Sequence, residues 1–328
     1  TRLQGDWSSD VCSSDLNLQG GRWANVRTNR AMVIQGDGSG NCLVGESLLD
    51  EPGYWTQFVG WSPDGGLTIL GRVWESEENG RWEEEHQTFR FTADGWLYDS
   101  ILFDPATGKA ENLTAVDRVS FYNTGLFFWN NDPNQLGFTA LIDGNSKPFR
   151  MNRHGLKKVD LTKDSNGFAY GFSSSPDGKR ISYHENYQVY LADADGKNRI
   201  HVQTNHPFVF APRWSPDGQW LLFVSGEHYN CHPHIVRADG TGLKKLADRQ
   251  GYRGVTEFLD VPDFHGGSSD IPVWSARGDR LFYTAQVEDR VELFEVTLDG
   301  QSRQLTTSPP GTTHYHPNPS PEIGRAHV

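Results

Sequence analysis

Apolar residues in this chain arrive in short bursts: LTIL at Leu67, RISY at Arg180, WLLFV at Trp220 and RLFYTA at Arg280. Polar stretches rich in Gly and Asp separate them. Bursts this short, bounded by turn residues, predict strands rather than helices. A turn of one kind precedes them, WSPDG at Trp61–Gly65 and Trp214–Gly218, SSPDG at Ser174–Gly178 and WSARG at Trp274–Gly278. Its Pro presets one backbone dihedral and its Gly accepts a positive φ. A third strand then runs to Asp-x-Gly, as in LADADG, IVRADG and VTLDG. A fourth ends at Leu-Thr, as at Leu113-Thr114, Leu161-Thr162 and Leu305-Thr306.

Four short strands recurring as one unit are the signature of a β-propeller blade, so the predicted class is all-β. Five units are recognisable, near Trp61, Trp129, Ser173, Trp214 and Trp274; the Trp129 copy is the degenerate WNNDPN. Residues 17–50 and the closing HYHPNPSP supply parts of one or two more, which predicts six or seven blades in an intact parent, the last one truncated here. From about Gly60 to Pro321 the repeats resemble the TolB-like, WD-repeat-related propellers. That resemblance implies the fold, a monomer, and a periplasmic or secreted location. It says little about activity.

The two ends read differently. DWSSDVCSSDL, Asp6 to Leu16, and EIGRAHV, Glu322 to Val328, back-translate to stretches resembling the two strands of a sequencing adapter. Residues 1–16 and 322–328 are therefore set aside as artefact, and 17–321 are expected to form one incomplete propeller domain assembled from environmental, bacterial DNA. The formal net charge of -12 lies mostly outside those ends and argues against a nucleic-acid partner. No apolar run reaches the roughly 18 residues of a membrane span. Of three cysteines, Cys12 falls in the artefact, and Cys42 with Cys231 make no disulfide framework.

Candidate chemistry gathers around GEHYNCHPHIV, Gly226 to Val236, expected in the gap between strands two and three of the Trp214 blade. Blade topology puts that connection on the face opposite the SPDG turns, together with the connections entering each next blade. His228, His232, His234, His265, His314 and His316 then share one face, with His206 and His184 from neighbouring blades. Neutral imidazoles on separate loops can hold a divalent transition metal, manganese or zinc, with Glu227, Asp263 or Asp270 completing the shell. Any single one of them could equally satisfy buried backbone. Cys231 reads as a small buried residue. The acidic WESEENGRWEEEH, Trp74 to His86, reads as a long solvated hairpin whose tryptophans could stack a sugar.

Three functions fit. The first is a binding propeller with a carbohydrate or protein ligand on the histidine face. The second comes from a looser resemblance to oligogalacturonate lyase, whose base and metal ligands would sit where Glu227-His228 and the His314-x-His316 pair stand. It implies β-elimination from an oligouronide, a metal neutralising the uronate carboxylate while His228 or Arg253 removes the proton. The chain departs from that pattern before Trp274, where Asp270 and Ile271 stand in place of an expected histidine. The third is the propeller portion of a prolyl-oligopeptidase-type peptidase, although no Gly-x-Ser-x-Gly elbow occurs in the sequence.

Overall fold

The structure is a computed structural model that describes residues 30–34, 39–51, 53–86, 95–113, 126–142, 145–163, 165, 167–227, 230–252, 271–314, 317–319 and 326–327. Two compact units divide the chain, Thr1–Gly167 and Phe168–Val328.

In the first unit a two-stranded pair, β1 (Met32–Val33) and β2 (Cys42–Leu43), precedes two four-stranded blades. The first blade is β3 (Trp55–Trp61), β4 (Thr68–Glu75), β5 (Trp96–Phe103) and β6 (Ala110–Asn112). The second is β7 (Phe127–Phe128), β8 (Gln135–Ile142), β9 (Asn145–Asn152) and β10 (Val159–Asp160). Trp55, Ile69, Val73 and Tyr98 of one blade pack on Leu126, Leu136, Phe138 and Met151 of the next. A helix, α1 (Glu77–His86), interrupts the β4–β5 connection.

The second unit holds three blades. They are β11 (Ala169–Ser174), β12 (Arg180–Glu185), β13 (Gln188–Asp193) and β14 (Ile200–His201); β15 (Phe208–Trp214), β16 (Trp220–Glu227), β17 (Asn230–Arg237) and β18 (Lys244–Lys245); and β19 (Val273–Trp274), β20 (Arg280–Val287), β21 (Arg290–Thr297) and β22 (Ser302–Gln304). A short pair, β23 (Asn318–Pro319) and β24 (Ala326–His327), follows. All blade pairings are antiparallel in simple sequential order. Val189, Leu191 and Val202 meet Leu221, Phe223 and Val236 between the first two of these blades. Leu222 and Ile235 meet Leu281, Tyr283 and Val296 between the second and third. Five four-stranded blades are thus present among the described residues, where the repeat places them.

The repeated turn owes its form to two side-chain atoms, a serine hydroxyl oxygen and an aspartate oxygen. In WSPDG the serine hydroxyl donates to the aspartate two residues on: Ser62 to Asp64, Ser175 to Asp177 and Ser215 to Asp217, each at 2.6 Å. The same hydroxyl accepts the N–H opening the next strand, from Leu67 at 2.9 Å, Arg180 at 3.0 Å and Trp220 at 2.9 Å. The serine hydrogen bond is the main reason that the Asp64 and Asp177 carboxyls sit below the usual carboxylate range. Gly65, Gly178, Gly218 and Gly278 close the turns at φ near 70°. WSARG lacks the first aspartate, and Ser275 donates instead to Asp279, at 2.7 Å.

The stretch read as a solvated hairpin is corrected by α1. Ser76 accepts the N–H of Asn79 on its hydroxyl at 3.3 Å, an N-cap, and Glu77 and Glu78 complement the positive end of the helix. Asn79, fully buried, donates from its amide to Glu75 at the end of β4 and to buried Glu83 one helical turn on, both at 2.9 Å, so it ties the helix to the strand.

Candidate functional site

GEHYNCHPHIV is chiefly strand, not loop. β16 runs on to Glu227 and β17 begins at Asn230, leaving His228 and Tyr229 between them. Alternation along β17 then sends His232 and His234 to the same side of the sheet, where His232 lies opposite Ser225 and His234 opposite Phe223. Pro233 is tolerated because its carbonyl, accepting Leu246 N–H at 2.9 Å, faces the short outer strand β18; its missing donor falls on that side too.

The result is a buried imidazole layer. The His234 ring stacks on Phe223 with centroids 5.8 Å apart and meets the half-buried His206 edge to face at 5.7 Å. His206 Nδ1 bonds Ser225 Oγ at 2.9 Å. Hydrogen bonding sets the other two tautomers. His234 Nδ1 lies 2.9 Å from the His232 carbonyl, which can only accept, so the proton is on Nδ1 and Nε2 carries the lone pair. His232 Nδ1 accepts the N–H of Arg249 at 3.1 Å, which puts its proton on Nε2, 3.6 Å from Asp248. Burial pushes the His234 pKa down to about 4 and also lowers that of His232, where the Lys245 ammonium adds to the effect. His234 is therefore a neutral imidazole at physiological pH, with Nδ1–H held by a carbonyl in the manner of an oriented ligand.

Arg249 carried no signal in the sequence. Its side chain is buried, donating to the Thr284 carbonyl at 3.0 Å and the Thr284 hydroxyl at 3.2 Å, with the Tyr252 ring 4.6 Å beneath the guanidinium. It joins the imidazole layer to β20 of the following blade.

His314 is held elsewhere. Its Nε2 is 2.7 Å from Ser308 Oγ and 3.8 Å from Glu292, a fully buried carboxylate that also accepts from Ser308 N–H and the Thr306 hydroxyl. These bonds outweigh burial and keep Glu292 below the usual carboxylate range. His184 is a buried structural residue of β12, accepting Ala211 N–H at 3.3 Å where β15 bulges. Glu227 ends β16 exposed, and the thiol of buried Cys231 donates to its carbonyl at 3.5 Å. His228, Arg253, Asp263, His265, Asp270 and His316 lie outside the described residues. Among the described residues, His206, His232 and His234 come together, His314 has its own partners, and no three His, Cys, Asp or Glu side chains converge as a metal site.

Sheets of this order and the paired histidine strand define a β-propeller with a candidate polar site on one blade. No protein-family model matches the chain. The Tol-Pal system protein TolB of Thioalkalivibrio sulfidiphilus is 33% identical over 67 residues, which is 20% of this chain and 15% of that protein. Among solved structures, an oligogalacturonate lyase in complex with manganese aligns with a TM-score of 0.57 at 13% identity, over 82% of this chain and 71% of that one. One of two structurally analysed prolyl endopeptidases aligns at 0.57 and 12% identity, over 90% of this chain and 42% of that one. At these identities the structural likeness establishes the propeller fold.

Proposed function

We propose that this chain is a binding propeller whose histidine layer holds a divalent transition metal, manganese or zinc, and recognises an acidic saccharide. The observation that carries this reading is the His234 tautomer: a buried, neutral ring with its Nδ1–H fixed on a carbonyl and its Nε2 lone pair uncommitted by that bond. His206, its ring centre 5.7 Å away, is a second imidazole in the layer. His232 accepts the Arg249 N–H on Nδ1 and turns Nε2 toward Asp248 at 3.6 Å, so it supports the layer. His314 would have to ligate through Nδ1. His228, His265, Asp270 and His316 are the proposed source of the remaining ligands, and Glu227 orients the entrance. A bound metal would supply a positive charge for a carboxylate. The protein's residues fix the imidazoles and exclude water around them.

A second reading is a lyase. Its support is the aligned oligogalacturonate lyase in complex with manganese, and it assigns proton removal to His228 or Arg253. The short TolB match favours a protein ligand and a periplasmic or secreted protein instead. No helix among the described residues is long and apolar enough to cross a membrane.

Elemental mass spectrometry of the purified chain and of a His206→Asn, His234→Asn variant tests the proposal. About one manganese or zinc per chain, lost in the folded variant, is expected. A folded parent without metal would remove the proposal's basis. Ultraviolet absorbance of an unsaturated product from oligogalacturonate would move the assignment from binding to elimination.

A further inference from the structure

The bend between β12 and β13 holds a residue that its geometry disfavours. Glu185 pairs with Gln188, so Asn186 and Tyr187 alone make the bend, and both have positive φ, 50° and 63°. A two-residue hairpin bend of this kind takes Asn-Gly or Asp-Gly by preference, because glycine enters the left-handed region without a steric cost. The sequence follows that preference between β8 and β9, with Asp143-Gly144 between the paired Ile142 and Asn145. After β12 a tyrosine takes the glycine position. The sequence does the same in the next blade, where Glu227-His228-Tyr229-Asn230 repeats the order of Glu185-Asn186-Tyr187-Gln188. The turn does not call for that ring, so a residue kept where the backbone resists it points to a use for its side chain.

The Tyr187 ring is exposed and held still. It is 42% accessible and stands edge to face against Phe208 and Phe210, with centroids 5.3 and 5.4 Å away. The bend beneath it is tied on two sides. Val209 N–H donates to the Tyr187 carbonyl at 3.0 Å, Asn186 N–H donates to the Phe168 carbonyl at 3.2 Å, and the Asn186 side chain accepts Phe168 N–H at 3.0 Å. The Tyr187 hydroxyl bonds no described residue. The next side chain along β13 is the carboxamide of Gln188, which donates to the Pro207 carbonyl at 3.3 Å and lies 3.1 Å from His201 Nε2. An aromatic face with a free hydroxyl and a carboxamide beside it suits a pyranose, whose C–H face is apolar and whose rim carries hydroxyls. The platform also borders the histidine layer: Phe208 comes two residues after His206 and lies opposite Gly226, whose neighbour Ser225 bonds His206.

We propose that Tyr187 is the stacking seat for one pyranose ring of the saccharide, a specificity residue beside the histidine layer that contributes no ligand to the metal. This rests on the saccharide reading given above. The sugar carboxylate meets the charge at the layer, and the sugar's C–H face meets Tyr187.

Isothermal titration calorimetry with trigalacturonate, at low and at roughly 0.5 M salt, tests the seat in the parent, Tyr187→Gly and Tyr187→Phe. Glycine suits the positive φ, so that variant should melt no lower than the parent and carry the same metal content. Its affinity for trigalacturonate should fall about tenfold. The factor should be the same at both salts, since stacking is not screened. Tyr187→Phe keeps the ring and should lose no more than about threefold. Tyr187→Asn, which also tolerates positive φ, supplies the same comparison if the glycine variant unfolds. Binding by Tyr187→Gly equal to the parent's, or a loss that high salt abolishes, overturns the proposal and leaves the metal reading intact. A parent that holds metal yet binds no trigalacturonate overturns it together with the saccharide part of that reading. Tighter binding of acetyl-Leu-Phe-amide than of trigalacturonate gives the ring to a protein ligand, and the proposal falls with it.

Discussion

The β4–β5 and β16–β17 connections occupy equivalent positions, joining strands two and three of their blades, and they carry polar chemistry in opposite ways. The first leaves the sheet at Ser76 and folds its own helix over Glu77–His86, so its carboxylates stand around a cleft open to solvent. In the second, strand runs to Glu227 and resumes at Asn230, so His232 and His234 are on strand and buried, paired with Ser225 and Phe223. Insertion length decides between an exposed charged site and a buried neutral one. Long connections escape the packing of neighbouring blades, whereas short ones inherit it.

The largest way to break this contrast is Phe223→Ala, which removes the fully buried ring beneath His234. It should cost about 3–5 kcal/mol in urea unfolding of the second unit, as for other buried aromatic truncations. Next comes pH. A histidine whose folded pKa lies near 4, below an unfolded value of 6.5, binds its proton more readily when unfolded. Its contribution is fully present above pH 6.5 and is lost as pH falls toward 4, on the order of 3 kcal/mol over that window. Unfolding midpoints measured at pH 7 and pH 4.5 should therefore converge in His234→Asn relative to the parent. In the first unit, Asn79→Ala removes the amide that joins Glu75 to buried Glu83 and should cost about 2 kcal/mol, seen by circular dichroism melting. Ser76→Ala, which strips only the cap of α1, should cost about 1 kcal/mol in the same melt and leave the second unit unchanged.

The scaffold was legible because its determinants are local. Ser62, Asp64 and Leu67 complete their hydrogen bonds within six residues, and Trp61, Trp214 and Trp274 each end the first strand of a blade where the repeat is readable. The site was legible only in part. Of the histidines expected on one loop face, His206, His232 and His234 meet instead through a strand, and His314 stands apart with Ser308 and Glu292. The placement of His232 and His234 on strand was hidden by Pro233, which reads as a loop residue unless the short outer strand beside it is known. The helix over Glu77–His86 was hidden by its charge. Glutamates spaced for solvent and glutamates spaced for a buried Asn79 look alike until the cap and the Asn79 hydrogen bonds are seen. Arg249 could not be found at all, because its partner Thr284 lies in the following blade.

The blade turn closing at Ser275 has one more implication. Its acceptor stands four residues after the serine rather than two, yet the serine still donates and still receives the strand's N–H, from Arg280 at 3.4 Å. Two alternative seats for one carboxylate give a lineage room to drift: an aspartate can be gained at one before it is lost at the other. Repeats built this way can diverge in letters while staying interchangeable in shape, so copies of a blade can be duplicated, shuffled or lost without each needing a newly invented corner.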